Sequence, residues 1–467
     1  MNLRRRFEPQ LARLRESDTV KAGGLAGAMI TNNVIALVAT VVFARLLSDY
    51  GSLAALISYF LILSVAGQAL QVATAREGVL GHLGVGAGLI ATLRAWARSL
   101  AVFTAVLTVI SVLLRDPIAQ LVAVPHDQWA AAVGLPAGCL WLGLSILRGA
   151  LQGIGDYKPV GLSLIGEQAS RLIAGAILAG VGLGVLGAYL GTPVSFIAMS
   201  VYCLVQLRRY AARLDAVPAG GQTIPAGAPT APGRPEATAA IGLFAHVRRA
   251  WAPIAGLIVI AVLQNIDIIA AKHRFAGVKD LASSYASTAV AAKVLVWVAL
   301  GASFYLVPEV SRRRATGEDP RPVLVRALGI IVVCAIPVLL IFAVGAHPLL
   351  AAVFKPQYLK ATDALLVLGV AFTILAATSL AIQYMLALKR TWFLIGVGLV
   401  ALAEPILLLQ APRRPQGFAA VVLAIQAVGA VVAFAFALHR EKPAPPRPEE
   451  PPAGVREPEL VGASEVA

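Results

Sequence analysis

Between Lys158 and Leu183 the chain reads Lys158-Pro-Val-Gly-Leu-Ser-Leu-Ile-Gly-Glu167-Gln-Ala-Ser-Arg171-Leu-Ile-Ala-Gly-Ala-Ile-Leu-Ala-Gly-Val-Gly-Leu183. At about 1.5 Å per helical residue this apolar run is long enough to cross roughly 30 Å of hydrocarbon. It carries Glu167 and Arg171 one helical turn apart. Charges inside a bilayer cost several kcal/mol (~3 on insertion scales) unless they pair or face water, so such residues are rare and usually mark a substrate or ion path. An internally neutralised structural bridge is the competing reading of this pair.

The rest of the chain has the same character. Of 467 residues, 58% are hydrophobic and 13% charged, and the mean hydropathy is +0.80. A soluble globular protein carries about twice that share of charge. Runs of spanning length recur at about 24–45, 52–74, 97–114, 129–147, 159–182, 185–206, 250–271, 283–307, 324–344, 363–387, 391–410 and 417–438. The expected fold is therefore an all-α polytopic membrane protein of about twelve transmembrane helices. Alternating segments of about ten residues do not recur, which disfavours an outer-membrane barrel. The polar start up to Lys21 shows no cleavable signal pattern.

Lys and Arg outnumber Asp and Glu by 39 to 24, a formal charge of +15. The basic residues cluster beside helix ends, as in Arg208-Arg209 and Arg312-Arg313-Arg314. If the N-terminus is cytoplasmic, most fall in the tails and even-numbered loops, as the positive-inside rule requires. The charge then sets topology and needs no nucleic acid as partner. Both termini are expected in the cytoplasm, in the inner membrane of a cell. Cys139, Cys203 and Cys334 lie within spans without metal spacing, and the six histidines form no cluster, so neither a metal site nor a cofactor is expected. No P-loop is present, so transport would run on a gradient or on substrate flux.

Residues 207–249 are rich in Pro, Gly and Ala in their middle and read as a flexible cytoplasmic linker, as does the tail 439–467. The linker divides the chain into a cytoplasmic segment 1–21, a six-helix half 22–206 and a second six-helix half 250–438. Even span numbers give parallel repeats about an axis along the membrane normal. Polar residues collect on some span faces: Ser64, Gln68 and Gln71 in the second, Gln264 and Asp267 in the seventh, Asn32 and Asn33 in the first, Lys293 in the eighth, Glu404 in the eleventh. They fit a shared cavity; for the amides, interhelical hydrogen-bond glue is an equal alternative.

Several motifs resemble one family. Phe43-Ala-Arg-Leu-Leu-Ser-Asp-Tyr-Gly51, Leu147-Arg-Gly-Ala-Leu-Gln-Gly-Ile-Gly-Asp-Tyr157, Asn265-Ile-Asp-Ile-Ile-Ala-Ala-Lys-His-Arg-Phe275 and Phe304-Tyr-Leu-Val-Pro-Glu-Val310 are similar to patterns of the polysaccharide (oligosaccharidyl-lipid) flippases in the multidrug, oligosaccharidyl-lipid and polysaccharide exporter superfamily. The first loop is shorter than the family's, and Ser284 precedes Tyr285 where a glycine is common. The resemblance implies two V-shaped six-helix lobes around a central cavity, moving a lipid-linked oligosaccharide by alternating access rather than catalysing a reaction. The implied partners are that lipid-linked glycan, membrane lipid, a coupling proton or sodium ion, and envelope glycan-assembly enzymes.

A pyrophosphate beside a long tail calls for fixed cations, and Arg171 and Lys293 are the expected anion contacts, one per half. Gln68, Gln71, Asn32, Asn33 and Gln264 complete the expected substrate set; Glu167, Asp267 and Glu404 are the expected coupling or relay acids. Three alternatives remain: a cation-coupled drug antiporter of the same superfamily, a membrane-embedded glycosyltransferase or polymerase, and a scaffold without transport. A flippase predicts cations converging on an open cavity; a structural role predicts burial in pairs.

Overall fold

The computed structural model describes residues 18–215, 247–248 and 251–439, and the expected tail segments and most of the linker lie outside these. The first half contains α1 (Asp18–Leu46), α2 (Tyr50–Val79), α3 (Ala87–Leu113), a short α4 (Arg115–Leu121), α5 (Gln128–Gly153), α6 (Tyr157–Leu178) and α7 (Gly184–Asp215). The second contains α8 (Trp251–Arg274), α9 (Leu281–Ala292), α10 (Val294–Thr316), α11 (Arg321–Val353), α12 (Leu365–Ala387), α13 (Phe393–Gln410) and α14 (Pro415–Leu438). Helix α7 continues to Asp215, past the expected linker start at 207.

Among the described residues ten helical stretches are individually long and apolar enough to span a membrane, and twelve spans follow from two local features. The stretch Tyr157–Leu214 is a hairpin of two spans. Its turn is a π-helical Ala179–Leu183, with Gly182 at φ 102° and Gly184 at φ 51°, conformations that a β-carbon disfavours. The hairpin closes tightly because Gly191 leaves no room for a side chain: a Cβ there would stand 2.5 Å from the Arg171 carbonyl oxygen. The eighth span, expected as one helix over 283–307, is broken at Lys293. The Lys293 carbonyl accepts from the amide of Val296 at 3.0 Å, a one-turn tightening between α9 and α10.

Each half has its own apolar core. One is centred on Leu56, Phe60, Leu144 and Phe196, the other on Tyr285, Phe372, Leu375 and Phe418. Helix α2 of the first lobe packs on α8 and α9 of the second. At that junction the cores interleave: Ala44, Tyr50 and Ala54 join the second, and Ile269 joins the first. The result among the described residues is a twelve-span, two-lobe all-α membrane fold.

Candidate functional site

Two buried charge clusters occupy the lobes, and a polar seal joins them. In the first lobe Arg171 Nη2 donates to Glu167 Oε1 at 2.7 Å, the helical-turn pair expected from sequence. The structure adds a third member. Arg148 on α5 is fully buried, with Nη1 2.9 Å from Glu167 Oε2, Nε donating to the Ser163 hydroxyl at 2.8 Å and Nη2 to the Ser163 carbonyl at 2.8 Å. The Arg148 guanidinium also stands 5.5 Å from the Trp141 ring, and that of Arg171 5.5 Å from Phe196. Two guanidiniums thus share one carboxylate. Arg148 is a buried cation beyond Arg171 and Lys293, the two expected from sequence. The expected fourth span stopped at 147, but nothing in Arg148-Gly-Ala-Leu-Gln breaks the helix, which runs to Gly153 and carries Arg148 inside.

In the second lobe Lys293 Nζ donates to Asp267 Oδ1 at 3.0 Å, and the Tyr285 hydroxyl lies 3.3 Å from Asp267 Oδ2. Glu404 is fully buried; its Oε1 accepts from Gln426 Nε2 at 3.2 Å, and that nitrogen also donates to the Leu263 carbonyl at 2.9 Å. Glu404 Oε2 and Gln426 Oε1 have no donor. One ammonium therefore accompanies two carboxyl groups, the opposite imbalance to that of the first lobe. The break at Lys293 sits where its side chain meets Asp267.

The expected cations are accordingly buried in pairs inside their own lobes, the arrangement expected of a structural role, and do not converge on one open cavity in this conformation. Arg171 retains partial exposure, 19% of its side chain, and its Nε has no partner. The amides scatter. Gln68 and Asn33 are exposed, whereas Gln71, Asn32 and Gln264 are half-buried, and Asn32 and Asn33 contact each other at 3.4 Å. Ser64, grouped with the glutamines by spacing, turns its hydroxyl to the Leu61 carbonyl, and its own carbonyl accepts from Trp141 Nε1 at 2.6 Å.

The seal lies at the α1–α2 junction, inside the motif that begins at Phe43. Asp49 accepts both oxygens' worth of contact from Lys272 Nζ, at 2.9 and 2.7 Å, together with the Ser52 amide at 3.1 Å, the Ser52 hydroxyl at 2.7 Å and the Ser283 hydroxyl at 3.2 Å. The carbonyls left over at the end of α1 are capped from the opposite lobe. Lys355 Nζ donates to Leu47 O at 2.9 Å, and the Tyr358 hydroxyl donates to Ser48 O at 2.9 Å. Arg45 Nη2 returns the contact to Ala352 O at 2.9 Å. Gly51 permits the approach: its amide donates to Ser283 Oγ at 3.0 Å, and a Cβ there would stand 2.9 Å from the same atom.

Two carboxyls at this seal are shifted in opposite directions from the ordinary aspartate value. Burial raises Asp49, but Lys272 and the Ser52 groups outweigh it and hold the carboxyl below its ordinary 3.8. Asp127, at the start of α5, is raised by burial and by Asp49, against the pull of Lys272 and His126. Compared with an open seal that solvates both, acidification through the raised value of Asp127 protonates it and favours closure. Further acidification through the depressed value of Asp49 removes its bonds to Lys272 and favours opening. Spin labels on Ser48 and Gln357 should therefore report the shortest distances in mild acid and separation below the ordinary aspartate range; a distance that is independent of pH would contradict this.

No family model matches the sequence, and no curated protein matches it. Solved structures do. The lipid II flippase MurJ, in an inward closed conformation, superposes with a TM-score of 0.65 at 14% identity, over 88% of this chain and 87% of that one. The eukaryotic MATE transporter AtDTX14 superposes at 0.62 and 15% identity, over 91% and 96%. The MATE transporter ClbM in complex with Rb+ gives 0.52 and 15%, over 90% and 94%. The fold is the one that these solved structures share. A flippase and drug transporters share this architecture, so the fold does not name the substrate, which must be argued from the charge clusters.

Proposed function

We propose that this protein is a flippase that moves a lipid-linked oligosaccharide across the cytoplasmic membrane by alternating access, with both termini and the 207–249 linker in the cytoplasm. The observation that carries this reading is the pairing of Arg148 and Arg171 with the single carboxylate of Glu167. A buried excess of guanidinium calls for an anion, and its planar fork fits pyrophosphate. Arg171, whose side chain is partly exposed where that of Arg148 is not, is the member positioned to bind it.

The second lobe supplies coupling. Glu404 Oε2 and Gln426 Oε1 await a proton or a cation, and Asp267 lies in the same cluster. A cation at Asp267 competes with Lys293 and releases its ammonium toward the substrate's phosphate. Opening then breaks the Asp49–Lys272 bridge and the caps from Lys355 and Tyr358, while the two lobe cores stay intact. The shallow amides Gln68, Gln71, Asn32, Asn33 and Gln264 are secondary glycan contacts in the opened state, and Glu167 holds Arg171 in place.

A cation-coupled drug antiporter is the second reading, favoured by the acid excess around Asp267 and Glu404. Binding separates them. The purified protein should bind a fluorescent polyprenyl-diphosphate oligosaccharide at least about tenfold more tightly than a neutral glycolipid of the same tail, a difference of about 1.4 kcal/mol. Tighter binding of a cationic amphiphile than of the diphosphate would favour the antiporter.

A further inference from the structure

A cavity lies on the flank of the first lobe, outside both charge clusters. It is a groove of about 830 Å³ between α3, α5 and α7. Its α3 wall runs from Ile90 to Thr108, about 27 Å at the helical rise, with Ala97, Ala101 and Ala105 keeping it deep. The hydroxyls of Thr104 and Thr108 turn back to the carbonyls of Leu100 and Thr104, each at 2.7 Å, so the threonines present methyl groups. At the end formed by the start of α3 and the last turns of α7 stand Arg94 and Arg208, both exposed and without a carboxylate partner among the described residues. These two arginines and Ile90 also line an adjoining recess of about 330 Å³, whose other walls are alanines.

We propose that this groove is a binding site for an anionic phospholipid of the leaflet at that end, which the charge asymmetry assigns to the cytoplasm. The apolar channel takes an acyl chain, and the guanidiniums of Arg94 and Arg208 clamp the phosphate. Basic pockets between transmembrane helices on the cytoplasmic side are a recurrent setting for acidic headgroups. A second protein helix fits less well, because it would have to bring acids to the two arginines and fill a concave, alanine-lined channel. Beyond the two arginines that clamp the phosphate, the recess offers a glycan no polar side chain, since Ile90 and alanines form its other walls. The site is therefore distinct from that of the transported substrate.

The test is competitive lipid binding to the purified full-length protein, read by native mass spectrometry with phosphatidylglycerol and phosphatidylcholine of matched acyl chains at equal concentration. The expected result is at least about tenfold preferential retention of phosphatidylglycerol, equivalent to about 1.4 kcal/mol. Arg94→Gln combined with Arg208→Gln should bring the preference to parity, and the neighbouring Arg209→Gln should leave it unchanged. Ala101→Trp, which fills the channel from an exposed position, should reduce retention of both lipids. All four side chains are exposed, so the variants should remain monodisperse, and thermal unfolding checks that they do. No preference in the parent, an intact preference in the double variant, or displacement of phosphatidylglycerol by an equal amount of polyprenyl phosphate would overturn the assignment.

Discussion

Glu167→Gln should destabilise the protein by about 3–5 kcal/mol, the usual cost of stripping a buried charge of its counter-ion, and here two guanidiniums lose theirs at once. Arg171→Gln should be far milder, at about 1–2 kcal/mol, because Arg148 still neutralises Glu167 and only one charge-assisted hydrogen bond is lost. A simple two-residue bridge would make the two substitutions equally damaging; the three-residue cluster makes them unequal. Thermal unfolding in detergent compares them directly. Equal losses would mean that Arg148 contributes nothing to balancing Glu167.

Asp267→Asn is the second large effect. It leaves the Lys293 ammonium, 8% exposed, beside an uncharged amide and next to the Phe372 ring at 5.1 Å, with a cost again of about 3–5 kcal/mol. Combining it with Lys293→Met should recover most of that loss, because the double variant removes both buried charges. Strictly additive losses in the double-mutant cycle would show that the two side chains do not stabilise each other. Glu404→Gln should fold at least as well as the parent, because the amide supplies a donor where two acceptor oxygens now face a deficit.

The membrane class, the six-plus-six division and the Glu167–Arg171 pair were legible because they rest on composition, run length and helical spacing. The α6–α7 hairpin was legible as the break between the apolar runs 159–182 and 185–206, and the structure places Gly182 and Gly184 at positive φ in its turn. The break at Lys293 was not, because no Pro or Gly marks it in Ala289-Val-Ala-Ala-Lys-Val-Leu. Arg148 was missed for a related reason: a charged residue past an apolar run looks like a span end, and only tertiary contact with Ser163 and Glu167 accounts for its burial. The seal motif was visible as a resemblance, but its partner Lys272 lies 223 residues away, a pairing that no local pattern encodes. The spacing of Ser64, Gln68 and Gln71 on α2 groups residues on a face without saying whether that face meets protein or surroundings, and their burial differs accordingly.

The flippase reading rests on the cations of the two clusters handling an anionic headgroup. Its most direct test is the rate at which a fluorescent lipid-linked oligosaccharide diphosphate changes leaflet in liposomes containing the parent, Arg171→Gln or Lys293→Gln. Each substitution, reconstituted at equal density and shown to be folded, is expected to slow flipping at least about tenfold, or 1.4 kcal/mol in the barrier. Parental rates from both folded variants would contradict the account and leave these residues as structural ion pairs.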